Sequence, residues 1–178
     1  MLPPHLFHQI FNGKIPARLN FGRSLHTALG SRLMQDRLFT GAFDTLRQAA
    51  DTLSQNMAGI GMGRQCVACS IDNPGGCCSR EMAGETDALQ MLMNMLAGVE
   101  IDITEDKGEA CCFLGREGCI FTFKPMFCLN YNCDKIITHI GPARPELELL
   151  AGRLLGNQYE VEKILLARIE HLTESATG

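Results

Sequence analysis

The stretch that decides the fold is RQCVACSIDNPGGCCSRE, residues 64–81, with four cysteines in the spacing C-x2-C-x7-C-C. A second group lies in CCFLGREGCIFTFKPMFCLNYNC, residues 111–133, so all nine cysteines fall between Cys66 and Cys133. Disulfides, metal ligation and thiol redox chemistry each explain such clusters. Disulfide-rich secreted domains usually combine small size, an even cysteine number and an export signal. This sequence indicates none of these, so metal ligation is the leading interpretation, with redox and disulfide alternatives.

Composition narrows the functional classes. The 178 residues are 46% hydrophobic and 20% charged, with a formal net charge of −4, no Trp and two Tyr. No Lys/Arg run or aromatic platform suits nucleic acid, so we expect no nucleic-acid partner. No apolar run approaches the roughly 18 residues of a membrane span, and we expect no membrane partner. The first residues do not resemble a secretory signal, which predicts a cytoplasmic location.

Cysteine spacing also predicts how ligands meet. Cys66 and Cys69, two residues apart, can reach one tetrahedral ion from a single turn, and Cys128 and Cys133 can do so across a tight loop. Adjacent side chains of an extended backbone point apart. The vicinal pair at residues 77 and 78 therefore favours more than one metal centre, or one ligand beside a bystander.

Apolar residues at helical spacing flank this region. They predict helices over about residues 24–57, broken near residue 30 or 40, then over 81–97 and 145–172. Two further segments predict short strands, because VEIDIT alternates apolar and polar residues and CIFTF is apolar and ends near a proline. These strands would cover residues 99–104 and 119–123, whereas residues 1–23 are expected to be a loosely structured lead-in.

The predicted fold class is therefore α+β and mainly helical, with an irregular cysteine-rich metal-binding core and a few short strands packed between helices. We expect a single domain over residues 1–178. Within it, residues 1–63 form a helical N-terminal extension, residues 64–134 the cysteine-cluster core, and residues 135–178 a C-terminal helix.

The motif C-x2-C…C-C, followed by C-x-F-L, G-C-x-F, K-P-x-x-C and a final C, resembles the YkgJ-type cysteine-cluster family, described as zinc- or iron-chelating. The resemblance covers about residues 64–134. In this sequence seven residues precede the C-C pair, whereas the family usually has about two. Cys112 stands where the family usually has Pro. The resemblance implies a packing role for Cys112 and eight metal ligands: Cys66, Cys69, Cys77, Cys78, Cys111, Cys119, Cys128 and Cys133.

Thiolate ligands suit zinc, iron–sulfur clusters and mononuclear iron. We expect the protein to bind metal ions, with zinc as the metal and a mainly structural role for it. The sequence does not indicate a protein partner. The alternative is an iron–sulfur protein with redox activity or activity linked to methyl transfer, since flagellin lysine-methylases carry a similar cluster. No sequence motif indicates catalytic residues, so enzymatic activity is left undecided.

Overall fold

The computed structural model describes residues 2–72, 76–105 and 107–176. Its chain is mainly helical, as predicted, with one two-stranded antiparallel sheet in the described part. The elements, with a π-helical turn at His8–Asn12 and a 3-10 turn at Gly141–Ala143, are α1 (Pro4–Phe7), α2 (Ile15–Leu33), α3 (Arg37–Gly59), α4 (Met62–Asp72), α5 (Arg80–Ala83), α6 (Ala88–Leu96), β1 (Leu114–Gly115), β2 (Gly118–Cys119), α7 (Met126–Asn130), α8 (Asp134–Ile140) and α9 (Arg144–Ala176).

The main core lies where α3 and α9 pack together and extends to α2 and α6. Phe39, Phe43 and Leu46 of α3 are buried against Leu154 and Leu165 of α9. Residues from the three predicted segments, 1–63, 64–134 and 135–178, pack together in this cluster, because helices distant in sequence bury their apolar faces there. Among the described residues, none of the helices is long and apolar enough to cross a membrane.

Asp36 sets the break between α2 and α3, which lies at residues 34–36 and not near residue 30 or 40 as predicted. Its carboxylate accepts hydrogen bonds from the N–H groups of Leu38 and Phe39, which caps α3. The same carboxylate accepts two bonds from Arg168 of α9, at 2.7 and 2.8 Å. One side chain therefore starts α3 and fixes α9 against it, and the bonds with Arg168 hold the pKa of Asp36 below its usual value.

Two predictions for the N-terminal half were wrong. Residues 1–23 are not a loose lead-in: α1 begins at Pro4, and α2 begins at Ile15 with Pro16 in its first turn. Proline fits these positions because the first helical N–H groups need no intrahelical acceptor. The predicted helix 81–97 is instead α5 and α6, because Asp87 accepts a hydrogen bond from Gln90 N–H and caps a new helix.

Both predicted strands were also wrong in extent. Residues 99–104 keep the alternation, with Ile101 buried and Asp102 exposed, but they pair with no strand in the described chain. The Arg23 guanidinium donates to the Ile101 carbonyl, and Val99 N–H donates to the Asn94 carbonyl. These partners, one distant in sequence and one nearby, take the place of a neighbouring strand for two backbone groups of the segment.

The predicted strand 119–123 shrinks to β2, because the buried amides of α6 bind the backbone of Phe123. Phe123 N–H donates to Asn94 Oδ1 at 3.0 Å, and Asn94 Nδ2 donates to the Phe123 carbonyl at 2.9 Å. Gln90 Nε2 donates to the same carbonyl. The side chains of α6 thus replace a neighbouring strand.

Replacing Asn94 with alanine is expected to lower the free energy of unfolding by about 2–3 kcal/mol, because the buried Phe123 N–H loses its acceptor. Urea denaturation of Asn94→Ala measures this loss. The control is Asn130→Ala on exposed α7, which we expect to change stability by less than about 0.5 kcal/mol. Equal effects of the two substitutions would contradict the role given to Asn94.

Candidate metal centre

The first two cysteines lie on the helix α4, within the segment that was predicted to be an irregular cysteine-rich core. The glycine-rich segment before them does turn the chain, since Gly61 has φ +67°, but the helix resumes at Met62. Cys66 and Cys69 are one helical turn apart and lie on the same side of α4, as i, i+3 residues do. Neither lies at the helix N-terminus, where a redox-active thiol usually gains its low pKa.

The vicinal cysteines follow in a turn after α4. Residues 73–75, within the seven-residue gap, lie outside the described residues. Cys111 N–H donates to the Cys78 carbonyl at 2.9 Å, and Ser79 bridges Ala110. This backbone pairing holds the two cysteine groups of the sequence side by side.

The remaining cysteines come from three short elements. Cys119 ends β2, opposite Leu114 of β1, and Cys128 lies on α7. Cys133 is the N-cap residue of α8, and its carbonyl accepts from Ile137 N–H at 2.9 Å. The ring of Phe113 packs against that of Phe121 behind the hairpin, with centroids 4.6 Å apart.

One cavity of about 180 Å³ gathers most of these thiols. Six of the eight predicted ligands line it: Cys66, Cys77, Cys78, Cys111, Cys119 and Cys128. The other two touch each other beside it, since the Sγ atoms of Cys69 and Cys133 are 3.4 Å apart, and Cys133 contacts the thiol of Cys77. The eight predicted side chains therefore form one continuous group of thiols.

Cysteines that are close together in the sequence contact different partners within the group. Cys66 contacts Cys78, whereas Cys69 contacts Cys133. The two thiols of the vicinal pair contact each other, but their further partners differ, because Cys77 also contacts Cys133 and Cys78 also contacts Cys66. The thiols are free, and in the described residues no three His, Cys, Asp or Glu side chains surround a common point closely enough to hold one ion.

Cys112 does not line the cysteine cavity. It lines a separate surface pocket with Ile15, Pro16 and Arg80, and, like Cys111 and Cys119, it packs against the smaller apolar cluster around Phe113. Cys112 therefore lines a different pocket from the six cysteines of the cysteine cavity.

Met57 and Met62 also line the cysteine cavity, together with Glu117 and Lys124. The two methionines were not predicted to be site residues. Met62 precedes Cys66 by four residues, so the helical spacing of α4 carried a signal for it. Lys124 Nζ donates to the Phe121 carbonyl at 3.1 Å, and its charge acts on Cys119 and Cys128. His139 Nε2 lies 2.7 Å from the Ile60 carbonyl.

The crowded thiols favour their protonated form. Burial raises the pKa of Cys69 to about 11, with the hydrogen bond to Cys133 adding to the effect. Burial likewise raises the pKa of Cys111 and of Cys128 to about 12. The pKa of Cys77 is raised by its bond with Cys78 and that of Cys78 by its bond with Cys66, in each case together with burial.

The reduced, metal-free protein should therefore react slowly with iodoacetamide at Cys69. A pKa of about 11 in place of 9.0 lowers the thiolate fraction near neutral pH about 100-fold, and the thiolate is the nucleophile. Mass spectrometry after timed alkylation measures the rate at Cys69, with the guanidinium-unfolded chain as the control. The rate should rise about tenfold per pH unit up to pH 11. Fast alkylation of folded protein at pH 7 would instead support a redox dithiol.

Comparisons with known proteins return no family model, no curated protein and no solved structure that matches the chain. The resemblance to the YkgJ-type family therefore stays a prediction based on the order and spacing of the cysteines.

Proposed function

We propose that this protein binds metal ions, zinc foremost, through Cys66, Cys69, Cys77, Cys78, Cys111, Cys119, Cys128 and Cys133, and that the metal stabilises the fold. One observation carries the proposal. These eight thiols come from separate segments of the chain and form one continuous group, while Cys112 lies outside it. Packing alone gives no reason for such a selection.

The chemistry of the donor set fits the proposed metal. Thiolates are soft ligands that zinc binds in closed tetrahedral sites, which have a structural role. Each cysteine sulfur can change its position by rotation about one side-chain bond between staggered rotamers. Lys124 stands at the cavity and offsets part of the negative charge that four thiolates give each zinc site.

The contacts favour two centres over one. One set would be built around the touching pair Cys66 and Cys78, with Cys111 bonded to the backbone of Cys78. The other would be built around Cys69, Cys77 and Cys133. This division places adjacent cysteines at different ions, which avoids the strain of two neighbouring side chains on one ion.

Anaerobic purification followed by metal and acid-labile sulfide analysis tests the proposal. We expect colourless protein with about two zinc ions per chain, as eight thiolates divided into four-ligand sites require. The variant Cys78→Ser should lose zinc, and Cys112→Ser should keep the full amount. Protein that binds no metal under these conditions, or equal losses in both variants, would contradict the proposal.

A second candidate is an iron–sulfur protein with redox activity or activity linked to methyl transfer. The observation that favours it is the cavity itself, because six cysteines surround a space of about 180 Å³ and do not point at one centre. Iron–sulfur clusters are bound by cysteines arranged around them. Brown protein with broad visible absorption and stoichiometric sulfide would establish this candidate in place of zinc.

A further inference from the structure

A second pocket lies between α6, α7 and α9, on the other side of α7 from the cysteine group. Its volume is about 330 Å³. Met126 and Phe127 of α7 line it, whereas Cys128 of the same helix lines the cysteine cavity. The pocket thus contains none of the proposed metal ligands.

The polar groups of this pocket are mainly acceptors. Three carboxylates line it, from Glu85, Asp87 and Glu162, together with the amides of Gln90 and Gln158. Among the described residues that line it there is no Lys, Arg or His. Such a lining is complementary to a positively charged hydrogen-bond donor.

Gln158 supplies an observation independent of the acidic residues. Its side chain is 3% exposed, and its Oε1 atom has no hydrogen-bond partner. A buried polar atom without a partner costs about 1–3 kcal/mol, and native structures rarely leave one. Gln158 lines the pocket, so a bound donor that reaches this oxygen would satisfy it.

The orientation of the Gln158 amide is fixed by a chain of bonds from the backbone. Gln90 Nε2 donates to the Phe123 carbonyl, so Gln90 Oε1 must act as the acceptor at its other end. Gln158 Nε2 donates to that oxygen at 3.1 Å. Turning the Gln158 amide over would place two acceptors together, so its own oxygen is the atom left without a donor.

Repulsion between two carboxylates of the pocket also favours a bound cation. Burial raises the pKa of Glu162 to about 7, and the negative charge of Asp87 adds to the rise. Burial also raises the pKa of Asp87, against the N–H groups of α6 and the charge of Arg18. A bound cation would relieve both carboxylates, and the nearest cation on α9, Lys163, is paired with Glu160.

The walls of the pocket favour an organic cation over a metal ion. The remaining walls are apolar or aromatic, from Pro125, Leu155 and Tyr159. A cation with a short hydrocarbon chain would bury that chain against these walls.

We propose that this pocket binds a primary alkylammonium ion, whose N–H groups donate to Gln158 Oε1 and to the carboxylate of Glu162, with Asp87 balancing its charge. The hydrocarbon chain lies against Leu155 and Phe127. The proposal is independent of metal binding at the cysteines.

Calorimetric titration of the full-length protein with n-butylammonium chloride in phosphate buffer at pH 8 tests this site. We expect saturable binding, with 1-butanol at least about tenfold weaker because it lacks the charge. Tetramethylammonium, which has no N–H group, should also be at least about tenfold weaker. Equal binding of 1-butanol, no binding of butylammonium, or its displacement by magnesium ions would each overturn the proposal.

Two substitutions on α9 sharpen the test. Glu162→Gln should weaken butylammonium binding at least about tenfold, whereas Glu160→Gln, one half-turn away and outside the pocket, should leave it unchanged. Circular dichroism confirms that each variant is folded. If Glu162→Gln does not fold, the proposal is tested by comparing the binding of butylammonium, 1-butanol and tetramethylammonium to the unsubstituted protein. Equal weakening by both substitutions would show general electrostatics and refute the site.

Discussion

Adding zinc to the reduced, metal-free protein is expected to raise its melting temperature by about 10 °C or more. A ligand present at about 1,000 times its dissociation constant stabilises the folded state by about 4 kcal/mol. One kcal/mol shifts the melting temperature of a chain this long by about 2–4 °C. The raised pKa values of Cys69, Cys111 and Cys128 mean that binding must release protons, so the shift should grow with pH. Scanning calorimetry with and without zinc measures it.

Two cysteine variants provide the matched comparison. Cys112→Ser should retain the whole shift, because Cys112 faces a different pocket. Cys133→Ser should lose most of it, because Cys133 touches both Cys69 and Cys77. A chelator should return the unsubstituted protein to its metal-free melting temperature. If zinc and chelator leave the circular dichroism and the melt unchanged, the metal has no structural role.

Replacing Gly63 with alanine is expected to lower the free energy of unfolding by about 3 kcal/mol or more. A Cβ atom at Gly63 would overlap the carbonyl oxygen of Glu117, in the turn between β1 and β2. Both contacting groups are backbone, so neither yields by rotating a side chain, and overpacking of this kind usually costs about 1–3 kcal/mol. Gly118 faces the same contact and has φ +118°, a conformation that glycine favours. Chemical denaturation measures the loss.

Gly41→Ala serves as the control for this substitution. Gly41 lies within α3, and a Cβ atom there would meet nothing within 4 Å. Alanine should therefore stabilise the helix by about 0.5–1 kcal/mol. Since α4 carries Cys66 and β2 carries Cys119, Gly63→Ala should also weaken zinc binding, and Gly41→Ala should not. A stable Gly63→Ala variant with unchanged zinc affinity would contradict the close packing of α4 on the hairpin.

Much of the helical framework was predictable because helix faces are local patterns. The apolar stripe that predicted a helix over 145–172 corresponds to α9, which begins at Arg144 and ends at Ala176. The exact breaks were not predictable in the same way. Asp36 and Asp87 cap α3 and α6, and these capping bonds place the helix starts at positions that the apolar pattern did not indicate.

The strand at residues 99–104 could not be decided from its own pattern. Its alternation survives in the burial of Ile101, yet a strand needs a partner backbone, and here side chains and turns supply the hydrogen bonds. The same holds at Phe123, whose partners are Asn94 and Gln90. Whether a segment pairs depends on groups far away in the sequence, which local periodicity does not contain.

By itself the sequence determined that all nine cysteines are confined to one segment, and the resemblance to a known family predicted that Cys112 differs from the other eight. Only the tertiary structure decided how they meet. The spacing of Cys66 and Cys69 would allow them to share one ion, and folding places the first beside Cys78 and the second beside Cys133. Spacing fixes the distance between near neighbours, whereas the partners of each thiol depend on how α4 packs on the hairpin and α8. That packing rests on long-range contacts such as Gly63 against Glu117.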